Sequence, residues 1–239
     1  MEALRAAVQN GADAVYLGCG AFNARQSAQN FTPQTLTEAG LPADEDTCAA
    51  YHHINDALWK ALEKGETTQA ELKVERFRQL LNHMNRSDIW PERIADAYAK
   101  NLGNYADLLY GADDFIQSLH GKMKIALVSN GVSAIQRSRL AKCPLTPLFD
   151  AIVISEEVGV AKPDPRMLEI ALEKLGCTNK KQAVLMGDSL SADIPAANAA
   201  GIHSIYFCRK GGVQKNDATY TVTSHREALK LLLGTETKQ

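Results

Sequence analysis

The chain has 239 residues, of which 45% are hydrophobic, enough for one large domain or for a core with a smaller companion. Its formal net charge of −2 gives no general attraction to nucleic acid or to an anionic membrane surface. No apolar run approaches the ~18 residues that a transmembrane helix needs, and the five cysteines lack the CxxC spacing. We therefore expect a cytoplasmic protein with reduced thiols and with neither a nucleic acid nor a membrane as its partner.

The amino-terminal segment is predicted to contain a helix over residues 2–10 and a short strand over residues 14–17. Residues 10–18, together with residues 22–25 and 30–32, resemble the start of the collagenase-like peptidase family. This resemblance covers residues 1–36 and does not continue downstream.

From about residue 40 the sequence becomes helical. Apolar residues recur at helical spacing, Thr68 and Glu71 form a capping box, and Pro91 fits the first position of a further helix. Tyr51 and Tyr98 lie on the apolar faces, which favours a role in core packing over stacking on a nucleobase. This pattern predicts a small helical module.

After Gly111 short apolar strands alternate with helices, with strands predicted at residues 125–128, 151–154, 183–186 and 205–207. Such alternation is typical of a parallel sheet with helices on both faces. We therefore predict an α/β fold, a Rossmann-like doubly wound parallel sheet with an inserted helical cap. The predicted domains are residues 1–37, which complete the core sheet, the cap at 38–111 and the core at 112–239.

Polar residues follow the predicted strand at residues 125–128. The Ser129 hydroxyl and the backbone N–H groups of Asn130 and Gly131 stand at a helix entrance, where they suit the oxygens of a phosphate group. The alternative is that Ser129 and Asn130 only cap the helix, since both residue types are favoured caps.

Lys162 lies in a loop after the next strand. Pro163 follows it directly and Pro165 comes soon after, so the loop is stiffened and the ammonium group is held in place. The alternative is an ordinary solvated surface lysine.

Asp188 follows the apolar strand at residues 183–186 and Gly187, and Asp193 comes five residues later. A carboxylate at the carboxyl end of a parallel strand lies where open α/β sheets bind ligands, and Mg²⁺ is its natural cation. The alternative is that Asp188 caps the following helix and Asp193 complements the helix dipole.

The order of hydroxyl, lysine and aspartate, each after a strand, resembles the second, third and fourth motifs of the haloacid dehalogenase superfamily of phosphohydrolases. Residues 51–65 and the later motifs resemble its noncanonical pyrimidine nucleotidase branch, over about residues 40–239. The resemblance implies that Ser129 binds the transferring phosphoryl group and that Lys162 neutralises its charge. It also implies that Asp188 ligates Mg²⁺, with Asp193 supporting the metal site.

The first motif of that superfamily, a strand ending in Asp-x-Asp, is missing. If residues 14–17 fill its strand, Gly18 and Gly20 stand where the nucleophile and the acid/base belong. Asp44 and Asp46 have the right spacing but precede a predicted helix, so acids at a helix start explain them more simply.

The resemblance implies an Mg²⁺-dependent phosphohydrolase acting on a small phosphate ester, in particular a 5'-nucleotidase for pyrimidine (deoxy)nucleoside monophosphates. The alternative is an inactive protein of the same fold that binds Mg²⁺ or a phosphorylated ligand. A third hypothesis, peptidase activity based on residues 1–36, is weak because one strand and one helix cannot form a peptidase site.

Overall fold

The computed structural model describes residues 15–18, 33, 35–104, 106, 108–208 and 215–234. They fall into two compact units. The first contains strand 15–18, Leu108–Gly131 and the chain from Cys143 onward, and the second contains residues 35–104 with Val132–Lys142. The helix predicted over residues 2–10 lies outside the described residues. The domain boundaries predicted after residues 37 and 111 stay a prediction.

The strands form one parallel sheet and are β1 (Val15–Gly18), β2 (Lys124–Ser129), β3 (Ala151–Ile154), β4 (Ala183–Gly187), β5 (His203–Phe207) and β6 (Tyr220–Val222). The helices are α1 (Glu45–Glu63), α2 (Gln69–His83), α3 (Pro91–Gly103), α4 (Ala112–Leu119), α5 (Ser133–Lys142), α6 (Ser155–Val158), α7 (Arg166–Lys174), α8 (Asp193–Ala200) and α9 (His225–Leu233). No described helix is both long and apolar enough to span a membrane.

The sheet of the first unit has the strand order β3-β2-β1-β4-β5-β6. This is the order of a doubly wound Rossmann-type sheet. Successive strands are added on one side of β1 up to β3 and on its other side from β4 onward. The apolar runs that predicted β2 and β4 are buried because helices cover both faces of a parallel sheet. The predicted α/β fold with a doubly wound sheet is confirmed.

The amino-terminal segment supplies the strand in the centre of this sheet. Residues of β1 pair with β2 on one side and with β4 on the other, so Gly18 lies beside Leu127 and Met186. The structure thus places a strand of this segment, one residue later than the predicted 14–17, between β2 and β4. Gly20 lies outside the described residues.

The second unit is a helical module built from α1, α2, α3 and α5. Its core collects the apolar stripes of these helices, including Tyr51, Phe77, Tyr98 and Ile135. The predicted capping box is present, since Thr68 and Glu71 exchange both hydrogen bonds at the start of α2. Helix α5 follows β2 in sequence but packs against α3, so it belongs to this unit.

Candidate functional site

The carboxyl edge of the sheet gathers the polar residues that the sequence singles out. Ser129 ends β2, Asp188 follows the last residue of β4, and β1 lies between these two strands. Because the strands are parallel, their carboxyl ends open onto the same edge. Gly18, the last residue of β1, pairs with residues two positions before Ser129 and Asp188.

The loop after β2 is held by its own side chains. The Ser129 Oγ accepts a hydrogen bond from the backbone N–H of Gly131 at 3.1 Å, which turns the chain sharply at the end of the strand. Serine makes such local side-chain–backbone bonds readily. The hydroxyl and the turn therefore lie together at the sheet edge, as a phosphate-binding loop requires.

Asn130 connects this loop to the backbone of Lys162. Its Nδ2 donates to the Lys162 carbonyl oxygen at 2.7 Å, and its Oδ1 accepts from the Lys162 backbone N–H at 2.8 Å. Both ends of the amide are therefore engaged by one residue. The side chain of Asn130 therefore holds the lysine loop in place. That its backbone N–H binds phosphate stays a prediction.

Lys162 is buried rather than solvated. Its Nζ lies 2.7 Å from the Asp193 Oδ1 and donates to the Val128 carbonyl oxygen at 3.0 Å. The two side chains of the ion pair are only 3% and 5% exposed. The reading of Lys162 as an ordinary surface lysine is therefore wrong. A buried ion pair persists when such further hydrogen bonds compensate its desolvation.

Asp193 is fixed by a second contact and by a close approach to the backbone. Its Oδ2 accepts from the Ser189 backbone N–H at 3.0 Å, so each of its carboxylate oxygens has a partner. The carboxylate also packs so closely over Gly187 that a Cβ there would lie 2.6 Å from the Asp193 Cβ. This close approach explains why residue 187, the last of β4, is a glycine. The prediction that Asp193 supports a metal ion stays a prediction.

Asp188 is half-buried beside the end of β5. Burial raises the pKa of the Tyr206 hydroxyl, and the neighbouring Cys208 and Asp188 raise it further. Tyr206 pairs with Gly187 across β4 and β5, so its side chain is a neighbour of the site that the sequence did not indicate. Tyr206 lies in a strand without a recognisable motif around it, so the sequence gives no sign that it neighbours the site.

The acidic residues present do not form a complete Mg²⁺ site. Within the part of the chain that the structure describes, no group of three or more His, Cys, Asp or Glu side chains could hold a metal ion. The sequence also contains no Asp or Glu between Asp13 and Glu38, so no carboxylate follows β1 closely. Because Mg²⁺ needs near-octahedral oxygen ligands and Asp193 is engaged by Lys162, Asp188 alone does not fit this ion well.

A doubly wound sheet with a hydroxyl, a lysine and an aspartate at its carboxyl edge defines a Rossmann-type α/β protein with a candidate ligand site at that edge. Residues 23–207 match the haloacid dehalogenase-like hydrolase family, and the chain belongs to that family. The matched segment begins after Gly18 and Gly20, so neither glycine is part of it.

The relatives include two pyrimidine 5'-nucleotidases. The chain is 31% identical to YjjG of Escherichia coli K12, over 76% of this chain and 80% of that protein. It is 32% identical to PynA of Streptococcus pneumoniae, over 83% of this chain and 85% of that protein. The chain is thus a phosphohydrolase-family member that resembles pyrimidine 5'-nucleotidases. The predicted resemblance of residues 1–36 to collagenase-like peptidases finds no support in these matches.

A solved structure has the same fold over nearly the whole chain. The HAD-hydrolase YfnB of Bacillus subtilis, bound to magnesium, matches with a TM-score of 0.84 and 26% identity over 92% of this chain and 98% of that one. The magnesium belongs to that protein. The fold and the family are therefore shown for this chain.

Proposed function

We propose that the chain binds a phosphate monoester, in particular a pyrimidine nucleoside monophosphate, and hydrolyses it far more slowly than an intact nucleotidase. The observation that carries this proposal is the glycine at the end of the central strand. Ser129, Lys162 and Asp188 stand at the sheet edge, but Gly18 offers no side-chain oxygen to attack phosphorus. The similarity to pyrimidine 5'-nucleotidases supports the choice of substrate.

In this proposal the residues present have distinct tasks. Ser129 and the backbone N–H groups after it hold the oxygens of the phosphoryl group, and Lys162 contributes positive charge close to them. Asn130 and Asp193 keep Lys162 in place. Phosphoryl transfer depends on positioning and charge neutralisation around an in-line nucleophile. Without that nucleophile the same contacts bind ground state and transition state alike, which does not accelerate the reaction.

Membership of the family is the reason to include Mg²⁺ in the proposal. A bound ion would neutralise the negative charge of the phosphate group. Asp188 is the residue that would contact it, and we derive no step through the ion because the described residues supply no group of three donors around it. We expect weak Mg²⁺ binding that is weaker still in Asp188→Asn. Isothermal titration calorimetry that gives both proteins the same Mg²⁺ affinity would remove Asp188 from this role.

The decisive experiment restores the missing carboxylates. Removing a nucleophile from a cooperative active site costs on the order of 10⁶ in turnover, so the natural chain should hydrolyse p-nitrophenyl phosphate and cytidine 5'-monophosphate barely above background. The double variant Gly18→Asp with Gly20→Asp should show Mg²⁺-dependent hydrolysis well above that level. Adding Asp188→Ala to the double variant is the matched control, and it should abolish the gain.

Two outcomes contradict the proposal. High activity in the natural chain that is lost in Asp188→Ala would mean that another residue supplies the nucleophile. No gain in a double variant whose circular dichroism and melting temperature match the natural chain would mean that residues 18 and 20 are not the missing positions. Binding of inorganic phosphate to the natural chain, measured separately, tests the binding half of the proposal.

A further inference from the structure

The loop proposed to bind phosphate, residues 129–131, runs directly into helix α5. Gly131 donates its backbone N–H to the Ser129 Oγ at 3.1 Å and is the last residue of its segment in the first unit. Val132 begins the segment that belongs to the helical unit. Its carbonyl oxygen already accepts a helical hydrogen bond, from the Gln136 backbone N–H at 3.0 Å. The phosphate-binding loop and α5 therefore follow one another without a spacer.

Two side chains of α5 fasten this helix to the carboxyl end of α3. The Ser138 Oγ donates to the Gly103 carbonyl oxygen at 2.8 Å, and the Lys142 Nζ donates to the same oxygen at 3.1 Å. Lys142 also donates to the Asn104 Oδ1 at 2.8 Å. The last carbonyl groups of a helix have no partner within it, and a positive charge there complements the helix dipole. Ser138 and Lys142 therefore supply what the end of α3 needs.

The two helices also approach each other closely at this point. A Cβ on Gly103 would lie 3.1 Å from the Ser138 Oγ and 3.2 Å from the Ser138 Cβ, which is tighter than the ~3.5–4.0 Å at which carbon atoms normally pack. Nearer the start of α5, Ile135 is buried in the core of the helical unit and Val132 packs against that core. Polar contacts at one end of α5 and apolar contacts at the other thus fix its position on α3.

We propose that Ser138 and Lys142 are positioning residues for the phosphate-binding loop. They hold α5 in place, and α5 in turn holds the backbone at Gly131. Consecutive Cα atoms stay ~3.8 Å apart across a trans peptide, so a displacement of Val132 is passed on to Gly131. A loop held in this way keeps its backbone N–H groups aligned for the oxygens of a phosphoryl group.

The amino-terminal side of the loop is fixed separately. The Asn130 side chain makes two hydrogen bonds to the backbone of Lys162, so the loop is held on both sides. The inference deepens the proposed function and rests on it for the ligand of the loop, and we assign Ser138 and Lys142 no contact with that ligand. Substitutions that act on a binding site without touching the ligand change its affinity by about twofold to thirtyfold.

The test measures binding of inorganic phosphate to the full chain by isothermal titration calorimetry. In the double variant Ser138→Ala with Lys142→Met we expect the affinity to fall at least threefold. The matched control is Thr68→Ala, which also removes a hydroxyl that bonds a backbone group of the helical unit, in the capping box of α2. This control loosens the helical unit away from α5 and should bind phosphate as the natural chain does. If the double variant does not fold, Ser138→Ala alone takes its place with the same criteria.

Hydrogen–deuterium exchange of the ligand-free chain separates this inference from the proposed function. The backbone N–H groups of residues 129–132 should exchange faster in the double variant than in the natural chain and in Thr68→Ala. If the natural chain binds no phosphate, the proposed function fails, and the exchange result alone decides the positioning role. The inference is overturned if phosphate binds to the double variant within threefold of the natural affinity, if Thr68→Ala weakens binding equally, or if exchange at the loop is unchanged.

Discussion

Replacing Gly187 with alanine tests how tightly the buried ion pair is built into the site. The added Cβ would lie 2.6 Å from the Asp193 Cβ and closer still to its carboxyl carbon and Oδ2. Carbon atoms pack at about 3.5–4.0 Å, so Asp193 has to withdraw by about 1 Å. Such a shift lengthens the 2.7 Å contact with the Lys162 Nζ beyond the range of a charge-assisted hydrogen bond.

The magnitude follows from the burial of both partners. Removing one partner of a buried ion pair costs about 3–5 kcal/mol, because the other charge is left uncompensated. Gly187→Ala displaces Asp193 without removing it, so we expect a loss of about 2–4 kcal/mol in the free energy of unfolding. Urea denaturation followed by circular dichroism measures this quantity.

A double-mutant cycle shows whether the ion pair is the cause. Lys162→Met should also destabilise the chain, and in that background Gly187→Ala has no intact pair left to break. The two losses should therefore be non-additive by about 1–3 kcal/mol. Full additivity, or a change below about 0.5 kcal/mol in Gly187→Ala, would refute the idea that this close approach positions the pair.

Three further predictions concern single contacts. Asn130→Ala removes two hydrogen bonds to the Lys162 backbone and should cost about 2 kcal/mol in urea denaturation, whereas Asn130→Asp, which keeps the acceptor, should cost less. An unchanged midpoint in Asn130→Ala would contradict the role of this amide. The Tyr51 hydroxyl is buried beside Tyr98 and Arg76 without a well-formed hydrogen bond, so Tyr51→Phe should leave the free energy of unfolding equal or raise it by up to about 1 kcal/mol, and a clear loss would show that these contacts stabilise the unit. Hydrogen bonds from Thr68 hold the pKa of Glu71 below its ordinary value, so its stabilising contribution is present above about pH 4.3 and is lost as the pH falls through the lowered pKa. Glu71→Gln should flatten that part of the stability–pH curve in urea denaturations at pH 5 to 3, and an identical slope would contradict the assignment.

The sequence predicted much of the fold because its signals are local. Strand-like apolar runs and the capping box at Thr68 depend on neighbours within a few residues, and the structure places β2, β4 and the start of α2 where these patterns indicate. The acids at Asp44 and Asp46 likewise lie at the start of α1, where Asp44 caps the helix. The sequence analysis predicted neither β6 nor α9, and the three residues of β6 carry too short a pattern to be recognised.

The sequence alone also placed Ser129, Lys162 and Asp188 at or after the carboxyl ends of strands, because the alternation of strands and helices predicts a parallel sheet whose strands all end at one edge. Only the tertiary structure decided which of these groups face one another. The Lys162–Asp193 pair, the amide of Asn130 on the lysine loop and the contact of Arg76 with Asn55 join residues far apart in the chain. Such contacts depend on packing between elements, and no local spacing encodes them.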